Sequence, residues 1–356
     1  MTELGKLARL LKNSKLAGTH SSGATRHYLD TGYPPLNKIV SGDHNKGLPS
    51  GQLVMIAGPS ACGKTMISTQ LMISAQKQGG FAAFFDYETQ YQMALALVQG
   101  LDPDAEKFQY YKPTTFEEGV SDAIKLAKLI RENDVIERDA PIVFVFDSLH
   151  AMTPQSKYDS LMGKKGAVES GTRTSMHDNY ALAKALADWS ATISREFDRY
   201  GVTAIFLNQV RTETDMYGNP HFKFPGGDTL YFYCSTVLVL TARDFYEGKG
   251  DEKTLKNKDI KALTVKSRNA RPMQNVHWHF SFDDKGNGNF DVIGSYTDYL
   301  IDIGAIEMSG SWIKFNGETF QGREKVVDYF RDLENGVQAM KKLHDEYLAK
   351  GTAVGE

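Results

Sequence analysis

Short apolar runs recur at residues 52–57, 82–85, 142–146, 203–207, 236–240, 262–265 and 276–280, and stretches of helical period lie between several of them. Strands alternating with helical segments predict an α/β fold, a doubly wound and mostly parallel sheet. The pattern leaves the direction of the last strands open. Leu182, Leu186, Trp189, Ile193 and Phe197 recur at helical spacing and predict the buried face of one long helix. Residues 3–16 place Leu4, Leu7, Leu10 and Leu11 against Lys6, Arg9, Lys12 and Lys15, an amphipathic helix. A Gly/Ser/Thr-rich linker at 18–25 separates it from the rest, so its stripe is expected to dock on another protomer. The polar run 283–289 has the wrong ligand spacing for a calcium loop and predicts a hairpin turn. From Tyr296 onward, helical segments bracket a Trp312-Ile313-Lys314-Phe315 hairpin, a compact C-terminal module.

Composition changes this picture little. A chain of 356 residues holds one large core and a small satellite domain. No apolar run approaches the ~18 residues that span a bilayer, and the basic start lacks a signal peptide's apolar core, so no membrane association and a cytoplasmic location are expected. Two cysteines, Cys62 and Cys234, argue against a disulfide framework. With a net charge of -3, any basic surface for nucleic acid must be local.

Chemistry enters at residues 58–65, Gly58-Pro59-Ser60-Ala61-Cys62-Gly63-Lys64-Thr65, a G-x-x-x-x-G-K-T phosphate loop between the apolar run Leu53–Ala57 and the helical run 66–78 that Met66 opens. Its glycines let backbone amides turn toward phosphate oxygens; Lys64 brings a cation, and the Thr65 hydroxyl is placed to hold magnesium. The run 141–146 ends in Asp147-Ser148, whose carboxylate suits a second magnesium contact. Residues 81–88 deliver Asp86 and Glu88 at another strand end, where either could orient or deprotonate water. A nucleoside triphosphate and Mg2+ are the cofactors this set implies.

Two long polar stretches follow predicted strands. Residues 154–176 contain Lys157, Lys164, Lys165 and Arg173 with little apolar period, and 210–227 carry Arg211, Tyr217, Phe222, Phe224, Gly226 and Gly227. Both read as long loops at one sheet edge. Their cations and rings offer phosphate contacts and stacking surfaces for single strands, the blander alternative being a lid over the nucleotide.

Over nearly its whole length the chain resembles the RecA family of strand-exchange recombinases. Thr31-Gly32 through Gly47-Leu48-Pro49-Ser50-Gly51 resembles the approach to that family's phosphate loop, and Asp86-Tyr87-Glu88 the strand bearing its catalytic glutamate. Asn208-Gln209-Val210-Arg211 is similar to its nucleotide-sensing segment. Met216-Tyr217-Gly218-Asn219-Pro220 with Gly226-Gly227 is similar to its second DNA-binding loop. Lys266-Ser267-Arg268-Asn269-Ala270-Arg271-Pro272 resembles the segment that reaches a neighbouring protomer's ATP site.

The resemblance implies a RecA-like core at 31–290, an N-terminal polymerisation helix and linker at 1–30, and a small C-terminal α+β domain and tail at 291–356. It also makes the nucleotide ATP, and implies a DNA-dependent ATPase that forms filaments on single-stranded DNA and exchanges strands with a duplex, with single-strand-binding and mediator proteins as further partners. Glu88 would position water, Gln209 would sense the terminal phosphate, and Lys266 and Arg268 would act across a protomer boundary. Lys164, Lys165, Arg173, Arg211, Tyr217, Gly226 and Gly227 are the implied DNA contacts. The family's adenine-stacking tyrosine aligns with Leu95, Tyr91 being out of register, and Tyr231 stands where a lysine is usual. A ring helicase on the same core and a small-molecule kinase are the alternatives. DNA-stimulated ATP hydrolysis separates the kinase from the others, and joint-molecule formation separates recombinase from helicase.

Overall fold

The computed structural model describes residues 27–162, 176–214, 220–248, 253–282, 288–315 and 317–352. The predicted N-terminal helix and linker, Lys164, Lys165, Arg173, Tyr217 and residues 283–287 of the polar turn lie outside them. A two-stranded sheet of β1 (Tyr28–Leu29) and β2 (Leu48–Pro49) precedes the core. The core strands are β3 (Leu53–Ala57), β4 (Phe81–Asp86), β5 (Phe108–Tyr111), β6 (Ile142–Asp147) and β7 (Val202–Asn208). A ribbon follows, β8 (Arg211–Thr214) with β9 (Pro220–Lys223), and then β10 (Thr236–Glu247), β11 (Thr254–Ser267), β12 (Asn275–Phe282) and β13 (Gly288–Phe290). The nine-stranded sheet runs in the order β13-β12-β11-β10-β3-β7-β6-β4-β5. From β10 to β5 every neighbouring pair is parallel, whereas β11, β12 and β13 each run antiparallel to the strand before, which settles the direction the apolar pattern left open.

Burial explains the solid apolar runs: helices cover both faces, so alternate residues of one strand enter different cores. Val54, Ile56, Phe84, Val143, Val145, Ile205 and Leu207 pack with Ile67 and Leu71 of the Lys64–Lys77 helix. Met55, Phe85, Phe144, Phe146 and Phe206 face the Phe116–Glu132 and Met176–Tyr200 helices instead. The predicted Leu182, Leu186, Trp189, Ile193 and Phe197 face lies against this second core.

One aromatic ladder sets the geometry of the sheet's carboxyl edge. Phe85, Phe146 and Phe206 pair in register across β4, β6 and β7, with successive ring centroids 4.8 Å apart. Asp86 and Asp147 directly follow two of these rings, so ring packing fixes where the acids emerge. Emptying one rung by Phe→Ala costs about 3–5 kcal/mol in a close-packed core.

Beyond β13, the Val292–Asp302, Arg323–Asp332 and Gly336–Thr352 helices enclose a three-stranded sheet of β14 (Glu307–Ser309), β15 (Trp312–Phe315) and β16 (Glu318–Gln321). The predicted hairpin is thus a meander with one more strand. The Tyr33 hydroxyl reaches the His277 and Ser295 carbonyls, each at 3.0 Å, and Trp278, Tyr296, Phe330 and Met340 share one core with Tyr33. His279 bridges the two parts: Nδ1 is 2.5 Å from Asp259 and Nε2 is 2.8 Å from Asp298, which Arg323 also binds. Bonds from both ring nitrogens to carboxylates require the imidazolium form. The Asp298 bond foremost, with Asp259, holds the His279 pKa above its ordinary value against the opposing effect of burial.

This bridge contributes its full stability below the ordinary imidazole value of about 6.5, and loses it as pH rises through the raised folded value. Thermal unfolding should therefore show a fall in Tm as pH rises above about 6.5 that His279→Gln lacks. Equal pH slopes in the two proteins would remove the role. The buried His344, pushed down to about 4 by desolvation, acts in the opposite direction and only in acid, so the two windows do not overlap.

Candidate nucleotide site and nucleic-acid interface

The phosphate loop turns between β3 and the Lys64–Lys77 helix, whose first amides lack intrahelical acceptors and face whatever lies at the loop mouth. Gly58 is dictated by close approach: a Cβ there would lie 2.6 Å from Cys62 Sγ and 2.8 Å from the Leu240 carbonyl oxygen. Cys62 is therefore a packing residue, its thiol pKa raised by burial, and Cys234 is pushed up to about 12 in the same way; both are free thiols. Pro59, Ser60 and Ala61 form the exposed lip of the turn, and Gly63 and Met66 are half-buried at its foot. Lys64 Nζ donates to the carbonyls of Gly58 at 3.0 Å and Pro59 at 2.7 Å.

Thr65 Oγ1 donates to Asp147 Oδ2 across 3.2 Å, bringing the hydroxyl and carboxylate together as the sequence predicts. Burial first, and then the Glu88 charge, push the Asp147 pKa up to about 7 against the Thr65 hydrogen bond. Paired hard oxygen donors with surplus negative charge nearby fit a magnesium ion and would gain from its charge.

The structure distinguishes the two candidate water-activating acids. Asp86 is buried, and its oxygens accept from the Glu88 and Tyr91 amides, each at 3.0 Å, and from the Tyr110 hydroxyl at 2.8 Å. Its carboxylate is committed to shaping the turn. Glu88 is partly exposed beside Asp147, and its Oε1 accepts from the Ser148 hydroxyl. His150 and Gln209 complete the group: His150 Nδ1 lies 2.8 Å from Ser148 Oγ, and Gln209 Nε2 lies 3.0 Å from His150 Nε2. Tyr91 is stacked on Phe84 with centroids 3.8 Å apart, whereas Leu95 is exposed on the short Met93–Gln99 helix.

The second polar stretch leaves β7 at Asn208, whose Nδ2 donates to the Pro225 carbonyl across 3.1 Å and so closes the base of the loop. Arg211 is exposed on the β8–β9 ribbon, opposite Lys223. Gly226 and Gly227 have φ of 88° and 77°, and a Cβ at Gly226 would lie 2.6 Å from Leu186 Cδ1, so the loop's return passes tightly over the long helix. Two expectations are corrected here. Phe224 is no stacking surface, because it is buried and stacked on Tyr231 at 5.6 Å, and Phe222 is half-buried against the same core. The first polar stretch is not loop throughout, since Gln155–Leu161 is a helix, its end held by the Met162 amide bonding Tyr158 O at 2.9 Å.

Lys266 and Arg268 are not brought to the phosphate loop. Ser267 pairs with Thr236 and Thr236 with Val54, which puts this segment where the parallel strands begin, at the opposite edge from Lys64. Lys266 Nζ donates to the Tyr231 and Phe232 carbonyls, each at 2.8 Å, with its charge 4.9 Å from the Tyr231 ring centroid.

Residues 30–286 match the RecA N-terminal domain. The chain belongs to the RecA family of strand-exchange recombinases. It is 30% identical to the Protein RecA of Streptococcus thermophilus over 289 residues, 80% of this chain and 69% of that protein. The Protein RecA of Clostridioides difficile (strain 630) is 29% identical over 319 residues, 87% and 83% of the two chains. That of Streptococcus pyogenes serotype M1 is 30% identical over 289 residues with the coverage of the first. Among the described residues of this RecA-family chain no helix is long and apolar enough to cross a membrane.

Sequence reasoning missed His150 and the structural part played by Asp86 and Tyr110. Nothing local marks His150: 59 positions separate it from Gln209, and only the adjacency of β6 and β7 joins them.

Proposed function

We propose that this RecA-family chain assembles into helical filaments on single-stranded DNA, hydrolyses ATP with magnesium, and pairs the bound strand with homologous duplex. The observation that carries the reading is the convergence, at one sheet edge, of the phosphate loop, the Thr65–Asp147 pair, Glu88 and the closed base of the second loop. Lys64 and the amides of residues 58–66 bind phosphates, and Thr65 and Asp147 hold the cation. Magnesium, when bound, supplies electrophilic stabilisation of phosphate charge. Glu88 orients water and accepts its proton. Lys266 and Arg268, remote from their own phosphate loop, neutralise charge at a neighbouring protomer's site. Residues 1–30 join protomers, 31–290 form the motor, and 291–356 form a smaller appended unit. Arg211, the ribbon and the glycine pair contact DNA together with Lys164, Lys165, Arg173 and Tyr217.

Gln209 begins the second loop beside the catalytic corner, so a phosphate that draws on its amide also pulls on that loop. Gln209→Ala should accordingly still bind ATP and bind single strands weakly, while losing the rise in DNA affinity that a slowly hydrolysed ATP analogue gives over ADP. Titration of a fluorescent oligonucleotide with each nucleotide measures this; equal enhancement in wild type and variant would sink the coupling. The test of the whole reading is ATP hydrolysis with and without single-stranded DNA, together with joint-molecule formation. A wild-type protein that shows neither would overturn it.

A further inference from the structure

Glu88 and Gln209 stand on different strands, yet they are joined end to end. Gln209 Nε2 is 3.0 Å from His150 Nε2, His150 Nδ1 is 2.8 Å from Ser148 Oγ, and the Ser148 hydroxyl bonds Glu88 Oε1. The three segments leave β7, β6 and β4, neighbours in the sheet whose register the phenylalanine ladder fixes. A neutral imidazole with its proton on Nδ1 satisfies every link in one direction: the Gln209 amide donates to Nε2, Nδ1–H donates to Ser148, and Ser148 donates to Glu88. In this arrangement Oε1 of the carboxylate that is to receive water's proton is held by the serine.

We infer that His150 is a positioning residue that converts the orientation of Gln209 into the availability of Glu88. The inference rests on the roles proposed for those two residues. When Gln209 turns its amide nitrogen toward a phosphate, its carbonyl oxygen, an acceptor only, faces the ring, and Nε2 must then carry the proton. The ring loses the proton at Nδ1 to solvent and takes one up at Nε2, staying neutral, and its half-exposed edge allows that exchange. Nδ1 becomes an acceptor, the Ser148 hydroxyl turns to it, and Glu88 is released to bind water. His150 thus gives Ser148 a second acceptor, and without it the serine has only Glu88.

Opposite signs at neighbouring positions test this. His150→Ala should lower DNA-stimulated turnover about tenfold more than unstimulated turnover, the scale of one coupled hydrogen-bonded contact. His150→Gln, whose amide can both donate and accept, should recover most of the stimulation. Ser148→Ala should raise unstimulated turnover, because Glu88 is no longer held. In a Gln209→Ala background, His150→Ala should add nothing further. In protein labelled with 15N-histidine, the His150 nitrogens should report the Nδ1–H tautomer and shift in Gln209→Ala. The relay is overturned if His150→Ala lowers both rates equally or neither, if its effect adds to that of Gln209→Ala, or if the ring nitrogens are the same in wild type and Gln209→Ala. Absence of DNA stimulation in the wild type would count against the reading of the site, and the nitrogen spectra would still decide the relay.

Discussion

Glu88→Gln is expected to bind ATP as the wild type does and to lose about 10²–10⁴-fold in turnover, the usual contribution of a positioned general base. The geometry explains the split. Glu88 Oε1 accepts from Ser148, and a glutamine carbonyl accepts there equally well, so the turn keeps its shape. What disappears is the capacity to take a proton. Filter binding of a labelled nucleotide beside a phosphate-release assay measures both halves. Near-normal turnover would deny Glu88 the role, and Asp86 could not inherit it without breaking three bonds that hold the turn.

The second large effect belongs to Lys64. Its ammonium is held by two carbonyls of the loop it must serve, at 2.7 and 3.0 Å, which keeps the cation at the mouth of the cradle. A hydrogen bond to a charged group is worth about 1.5–3 kcal/mol, so Lys64→Ala should weaken ATP binding roughly ten- to a hundredfold. The fold should survive, because the carbonyls it leaves behind lie near the exposed lip, where water can replace the amine. Calorimetric titration with a slowly hydrolysed analogue, beside a melting curve, gives the comparison. A variant that binds as tightly as wild type would place the phosphates elsewhere.

How much of this was legible in the chain depends on the range of each interaction. The phosphate loop is local, with all its parts inside residues 58–66, and the strands that carry the acids are buried on both faces, so they stand out as solid apolar runs. Strand β5 did not stand out: Phe-Gln-Tyr-Tyr at a sheet edge is half-buried and mixed in polarity. The Gln155–Leu161 helix buries none of its residues and has no stripe to read. Glu88 and Asp86 were indistinguishable by spacing, because what separates them is a tyrosine 24 positions from Asp86 that occupies one carboxylate. His150 was silent because, although Ser148 is two positions away, the Gln209 amide that gives the ring its place in the group lies 59 residues away on the next strand.

The bond from Asn208 to the Pro225 carbonyl has an evolutionary consequence. It brings the two ends of the segment 209–224 together, while Gln209 bonds His150 and Val210, Phe222 and Phe224 pack on the core. The cost of lengthening such a loop grows only with the logarithm of its length, about 0.6 kcal/mol per doubling. Insertions and deletions between β8 and β9 can therefore accumulate with little penalty to the sheet beneath. On the DNA-contacting role proposed for this segment, a lineage could retune that contact between β8 and β9 while Gln209 keeps its place beside His150.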